Sequence, residues 1–389
     1  MLSFFLLAIA FGQAPAPSAA LQQGLVSLRD GKLADARASF EKALQQDAKN
    51  AFGWVSLAET CRRLGDSSAA NDAAQKAEKF GGDNPAIHHA LAMYFAKSAQ
   101  FERAAELEQK FADSGRADPA AQERTAGLFL NAGNTPEALA AAEKAVEQHP
   151  SPGAENVLGR ALLAAGQPDE GEKHLGLAWS NSQTDSHFAF DYCQALLRKQ
   201  DFTRAADVLS AALESHPDDA QLVLALGVAR YGQRRFDDAI TAFLKVIRID
   251  PQVEQPYVFL GKMLDQAGEH LGEITAAVEK WSAGNPRNAL GLLLVAKARL
   301  AGDSKDATAE ELLRKSINLD GGNWEAHYEL GVLLEGKRNW PGAAVELKRS
   351  AELDEKQAMP HYHLARVYDR LGDEEKAKTE RALHEKLQR

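Results

Sequence analysis

Alanine recurs through this chain at a fixed interval. Ala36, Ala70, Ala104 and Ala138 lie 34 residues apart, and the step returns with Ala205 and Ala239 and again with Ala309, Ala343 and Ala377. Prolines keep the same step, from Pro85 to Pro119 and from Pro217 to Pro251. A fixed period of this length makes each repeat one small supersecondary unit. Such a unit cannot bury its apolar face alone and must stack on its neighbours. The phase is interrupted within 171–185, 273–286 and 303–309, with a one-residue slip expected near Gly171 and a small insertion around Asp303 to Asp306.

Each period carries two apolar stripes. The first reads Trp54-x2-Leu57-Ala58-x2-Cys61, Val223-x2-Leu226-Gly227, Tyr257-x2-Leu260-Gly261-x2-Leu264 and His361-x2-Leu364-Ala365-x2-Tyr368. The second reads Ala36-x3-Phe40, Ala239-x3-Phe243 and Ala343-x3-Leu347, with Ala74 and Ala142 in place of the large residue. Residues three and four apart share one face of a helix. Each period is therefore a helical hairpin, and its small residues let the two axes approach to about 8–10 Å. Gly31, Gly65, Gly133, Gly166, Gly268 and Gly372 fall where first helices should end, in left-handed caps. Units lacking that glycine carry Phe101, Phe202, Phe236 or Trp340, expected to pack over the turn. Thr135-Pro136-Glu137 predicts a helix start, with Thr135 as cap.

On these residues the chain resembles the tetratricopeptide repeat family, whose pattern is W-x2-L-G-x2-Y, then A-x3-F, then P. The resemblance covers residues 21–389. It implies an all-α, right-handed α-solenoid of about eleven stacked helical hairpins, with first helices on a concave face and second helices on the outer wall. It also implies a protein that holds other proteins or peptides.

First-helix positions one step beyond the core stripe would face that groove. They are Phe190, Gln194, Leu224, Val228, Tyr231, Val258, Lys262, Tyr328, Val332, Tyr362 and Arg366. Several are apolar or aromatic, and an exposed apolar run usually marks an interaction surface. The alternative is that these side chains widen the core between adjacent first helices. The Lys and Asn groups with which chaperone-binding members clamp a terminal carboxylate are not evident, which favours an extended or helical apolar segment as ligand.

Residues Leu2 to Phe11 form one apolar run, followed by small residues, with Ser18-Ala19-Ala20 as the preferred cleavage site. A run this short does not span a bilayer and reads as the core of a secretory signal over residues 1–20. The protein is then exported, periplasmic or secreted. If the run is instead an ordinary first helix, the protein is cytoplasmic. No transmembrane segment is expected.

A net charge of −10 argues against a nucleic-acid stripe. Arg198-Lys199, Arg234-Arg235 and Lys337-Arg338 sit at first-helix ends, where cations complement the dipole. Cys61 and Cys193 lie four repeats apart, too far to pair, and are expected as free buried thiols. No nucleotide-binding, metallopeptidase or nucleophile-elbow motif is present, so no catalytic, cofactor or metal residue is assigned. His361 occupies a packing position. Glu374 to Arg389, rich in charge, reads as a capping helix. The expected function is an exported scaffold presenting a groove to a protein or peptide partner. The alternative is a structural subunit of an envelope, secretion or polymer-export complex that binds through its convex face or ends. Partner identity and oligomeric state stay open at this stage.

Overall fold

The computed structural model describes residues 18–388, and every regular element among them is helical. The chain divides into two units, Met1–Lys199 and Gln200–Arg389. The first holds α1 (Ala19–Arg29), α2 (Leu33–Gln46), α3 (Ala51–Leu64), α4 (Ser67–Gly81), α5 (Pro85–Lys97), α6 (Phe101–Ala112), α7 (Ala121–Ala132), α8 (Thr135–Gln148), α9 (Pro152–Ala164), α10 (Pro168–Asn181) and α11 (Ser186–Arg198). The second holds α12 (Phe202–Ser215), α13 (Ala220–Gly232), α14 (Phe236–Ile249), α15 (Gln255–Lys262), α16 (Leu271–Gly284), α17 (Ala289–Gly302), α18 (Ala309–Leu319), α19 (Trp324–Gly336), α20 (Trp340–Leu353), α21 (Ala358–Leu371) and α22 (Glu374–Leu387). Odd-numbered helices are first helices and even-numbered ones are second helices. Among the described residues no helix is long and apolar enough to cross a membrane.

Four hairpins are closed by the same steric interlock. A Cβ on Gly24 would lie 2.5 Å from the Phe40 ring, on Gly227 2.6 Å from Phe243, on Gly159 2.6 Å from Leu175 and on Gly331 2.6 Å from Leu347. In each pair the large residue comes sixteen positions later and fills the space that the missing side chain leaves. Hairpins with Ala74 or Ala142 at the large position carry Ala58 or Ala126 opposite, and all four are buried. A methyl on each side thus replaces hydrogen against ring. The departure seen in the sequence is compensated within the hairpin.

The turns obey a second fixed spacing. In ten of the eleven hairpins the backbone turns left-handed seven residues after the small position, at Gly31, Gly65, Gly133, Gly166, Gly268 and Gly372, as expected, and also at Ala99, Gln200, Arg234 and Arg338; in the ninth, Asp303 is extended instead. The turn therefore imposes positive φ even without glycine, at about 1–2 kcal/mol per non-glycine residue. Phe202 packs forward against Gly232 at the end of the next first helix, whereas Phe236 meets Tyr231 edge-on at 5.9 Å in its own hairpin. Gly268 differs from expectation: α15 stops at Lys262, and two 3-10 turns, Leu264–Gln266 and Gly268–His270, lead into α16. Thr135 is not a cap. It is the first helical residue, after Asn134, because the second helix starts two residues past the left-handed one.

The phase interruptions have local causes. Small first-helix and second-helix residues lie twelve apart in regular hairpins, as in Gly227 and Ala239 or Gly331 and Ala343. In the eighth and ninth hairpins they lie thirteen apart, Gly261 to Ile274 and Ala296 to Ala309, so one residue is inserted in each turn. The slip expected near Gly171 falls earlier, in the short connection 149–151 between α8 and α9. Gly171 itself is in phase, twelve residues after Gly159.

Four connections between hairpins are pinned by a ring four residues before the small position. Trp54 Nε1 donates to the Ala48 carbonyl at 2.8 Å and Tyr257 Oη to that of Pro251 at 3.2 Å. His88 Nε2 meets the Gly82 carbonyl at 2.9 Å and His327 Nε2 that of Gly321 at 3.4 Å. Trp, His and Tyr are interchangeable here because each is flat and carries one polar hydrogen at its tip.

Within each unit, first helices touch first helices: α1 and α3, α3 and α5, α7 and α9, α9 and α11, α15 and α17, α19 and α21. Second helices wedge between the first helices on either side. The first-helix side is thus the inner wall of each stack. In the first unit one apolar cluster runs from Leu21 to Leu162.

Cys61 and Cys193 are free and buried, and burial pushes the Cys193 thiol up to about 12. His361 is buried, with Nδ1 2.5 Å from Glu380. Only Ala377 of α22 is buried. The apolar run Leu2 to Phe11 lies outside the described residues, as does most of the 1–20 segment. Its last three residues do not: Ser18 Oγ accepts the Leu21 N–H at 3.2 Å, and Ala19 and Ala20 open α1.

The interlock yields a testable coupling. Gly227→Ala should cost about 1–3 kcal/mol by overpacking, and Phe243→Ala about 3–5 kcal/mol by leaving a cavity. The double variant recreates the alanine pair of the second hairpin, so its loss in urea unfolding should fall well short of the sum. Strict additivity would refute the interlock.

Candidate partner-binding surface

None of the eleven groove residues read from the sequence is fully buried. Gln194, Lys262, Tyr362 and Arg366 are exposed, and the other seven are half-buried. In the first unit Phe190 and Gln194 stand on α11. In the second unit the remaining nine line the first-helix wall along α13, α15, α19 and α21. Both readings of these positions apply at once. Leu224, Val228 and Tyr231 pack against the core below them, as do Tyr328 and Val332, while each keeps one edge outward.

The wall's aromatic residues are joined ring to ring. Tyr231 meets Phe259 edge-on at 5.6 Å, and Phe259 stacks on Phe243 at 4.8 Å. Lys262 Nζ lies 5.9 Å over Phe259. Toward the C-terminal end, Tyr362 meets His363 at 5.2 Å and His363 meets Tyr328 at 5.6 Å, both edge-on.

The structure adds polar groups that pattern reading passed over. Lys297 on α17 pairs with Glu325 and lies 3.9 Å from Glu329, both on α19. Burial raises the Glu329 carboxyl to about 7; Lys297 opposes the shift, while Glu325 and Asp265 add to it. Burial likewise pushes the Tyr328 hydroxyl up to about 12, with further contributions from Glu329, Glu335 and Asp265.

One hairpin further on, Glu335 is buried and bridges two side chains of α21. Its Oε2 is 2.6 Å from His363 Nδ1 and its Oε1 3.2 Å from Arg366. His363 Nε2 faces Tyr328 Oη at 3.3 Å. In a neutral imidazole, Nδ1 donating to Glu335 leaves Nε2 to accept the tyrosine proton. His361 and His363 do point to different faces, the first into its own hairpin and the second toward the preceding one.

Beside this network lies a notch of about 490 Å³ whose lining includes Val332, Trp340, His363, Arg366 and Arg370. Trp340, expected to cover its own turn, reaches the next hairpin, where the Arg370 guanidinium lies 5.9 Å over its ring. Arg366 lies 5.6 Å over Tyr362. Arg370, Glu335 and Trp340 were absent from the sequence-derived surface. The available signal was a pair of arginines one turn apart on a first helix, following an aromatic at the start of the preceding second helix.

A family model described as tetratricopeptide repeat matches residues 6–51, 21–85, 89–155 and 194–254, and another of the same description matches 152–176. No curated protein matches the chain in sequence. Among solved structures, yeast Tom70 is 14% identical, with 95% of this chain and 91% of that one covered at a TM-score of 0.43. A chain of the APC/C hetero-tetramer Cut9–Hcn1 is 13% identical, with 100% and 96% covered at 0.45. PilF of Pseudomonas aeruginosa is 15% identical, with 64% and 97% covered at 0.43.

The Glu329 environment sets a pH dependence. A carboxyl raised from 4.5 to about 7 keeps its proton in the folded chain while the unfolded chain has released it. Its contribution to stability therefore falls as pH rises through that window. Glu329→Gln should be more stabilising at about pH 8 than at about pH 5, by roughly 1–2 kcal/mol. Equal effects on the melting temperature at both pH values would contradict this.

Proposed function

The chain belongs to the tetratricopeptide repeat family, and from that premise we propose a scaffold that holds a partner-protein segment against the first-helix wall of its second unit. The observation that carries this reading is the composition of that wall. Tyr231, Val258, Tyr328, Val332 and Tyr362 keep apolar or aromatic edges outward between Lys262 and Arg366. Aromatic and arginine side chains dominate binding energy at protein interfaces because they bury large rigid area and still carry directed polar groups. An extended or helical segment lying along the wall would cover those edges. The reading assigns no reaction to the chain. The second reading, a structural subunit bound through the outer second helices, draws on exposed Val345 on α20.

Export is a separate part of the proposal and rests on the apolar run Leu2 to Phe11 followed by small residues. Cutting after Ala20 would remove the Ser18 cap and open the first turn of α1, so a mature chain would begin with a frayed helix end.

Two measurements bear on these statements. Capture of partner segments on a peptide array should fall about 10-fold for Tyr231→Ala and Lys262→Glu and stay unchanged for outer-face Lys348→Glu. Loss confined to the outer-face variant would reject the groove in favour of the subunit reading. For export, cell fractionation should place the protein outside the cytoplasm, with N-terminal sequencing starting at Leu21. A cytoplasmic product retaining Met1 would remove that part of the proposal.

A further inference from the structure

We propose that the notch between Trp340 and Arg370 accepts a single carboxylate side chain from an acidic partner segment. The inference rests on the scaffold reading and names the chemistry of one contact within it. The acidic groups of the notch are already engaged: Glu335 serves His363 and Arg366, and Asp369 accepts from Arg381 at 2.6 Å. Arg370 has no carboxylate partner among the described residues, although it is held over the Trp340 ring. Arg366 gives one nitrogen to Glu335, and its side chain is 56% exposed. Two guanidinium groups thus stand one turn apart on the same helix face, where like charges repel unless an anion lies near both.

The surroundings say which anion fits. Val332 and Trp340 are the apolar walls of a notch otherwise lined by glycine and charged or polar side chains. The planar fork of Arg370 matches a carboxylate with two parallel N–H donors. Glu335, buried beside Arg366, already balances one positive charge, leaving the equivalent of one guanidinium for the ligand. A singly charged carboxylate completes the balance, whereas a doubly charged phosphate overshoots it. The apolar walls would receive the residues flanking that carboxylate, so the segment carries Glu or Asp among apolar neighbours. This is a local exception on a chain whose net charge is −10.

The test uses the full chain and three labelled peptides that differ at one residue type: alternating Leu and Glu, Leu and Gln, and Leu and phosphoserine. The Glu peptide should bind about 10-fold more tightly than the Gln peptide, and its affinity should fall with added salt. Arg370→Gln should remove that advantage while leaving Gln-peptide binding and the melting temperature unchanged. Arg370→Lys, which keeps the charge and loses the fork, should recover only part of it. Equal binding of the Glu and Gln peptides, both weakened by Tyr231→Ala, would overturn the carboxylate assignment and leave the groove standing. Tightest binding by the phosphoserine peptide would overturn it in favour of phosphate. Failure of every peptide to bind would remove both the assignment and the groove reading.

Discussion

Six hairpins in this protein close on one pair of positions sixteen residues apart, where the backbone of the first helix comes close enough for a second-helix side chain to reach it. Glycine opposite Phe40, Phe243, Leu175 or Leu347 solves the problem with one large side chain, and alanine opposite Ala74 or Ala142 solves it with two small ones. Either pairing gives close packing, and only a mismatched pair would force the helices apart. From that contact follow the fixed spacing to the left-handed turn, the start of the second helix and the stripe that the next hairpin covers.

The turn is less dependent on glycine than its sequence pattern implies. Ala99, Gln200, Arg234 and Arg338 adopt the same positive φ as the glycines in the other repeats. Packing of the two helices over-determines the conformation, and the strain is carried where tertiary contacts hold it in place. Near the eighth hairpin the compensation takes another form. There an inserted residue ends α15 early, and two 3-10 turns restore the direction of the chain before α16.

The candidate surface grows out of the same architecture. Within each unit several first helices touch one another, so a side chain one step off the core stripe both packs on a neighbour and keeps one edge outward. This is why Leu224, Val228, Tyr328 and Val332 serve the core and the surface together. It is also why Lys297 meets Glu329 and Glu335 meets His363, each pair across a hairpin boundary. Some charges on one first helix pair with the next across the boundary, as Lys297 does with Glu325 and Arg366 with Glu335.

Periodicity determined the fold from the sequence alone. The recurrence of Ala36, Ala70, Ala104 and Ala138, with glycine after six of the first helices, fixes hairpin number, helix faces and the burial of both cysteines. These properties repeat in every unit, so a local signal is enough to read them. The slip at 149–151, the cap role wrongly given to Thr135 and the forward reach of Trp340 were decided by how each turn meets its neighbour. The polar network and the notch were decided only in three dimensions. Their members are separated by about a full repeat, and the 28 residues from Glu335 to His363 carry no local mark of the contact. A short-range pattern records what one hairpin needs to fold. Which side chains of adjacent hairpins meet depends on the stacking of the hairpins, and that is set by the packing of whole helices.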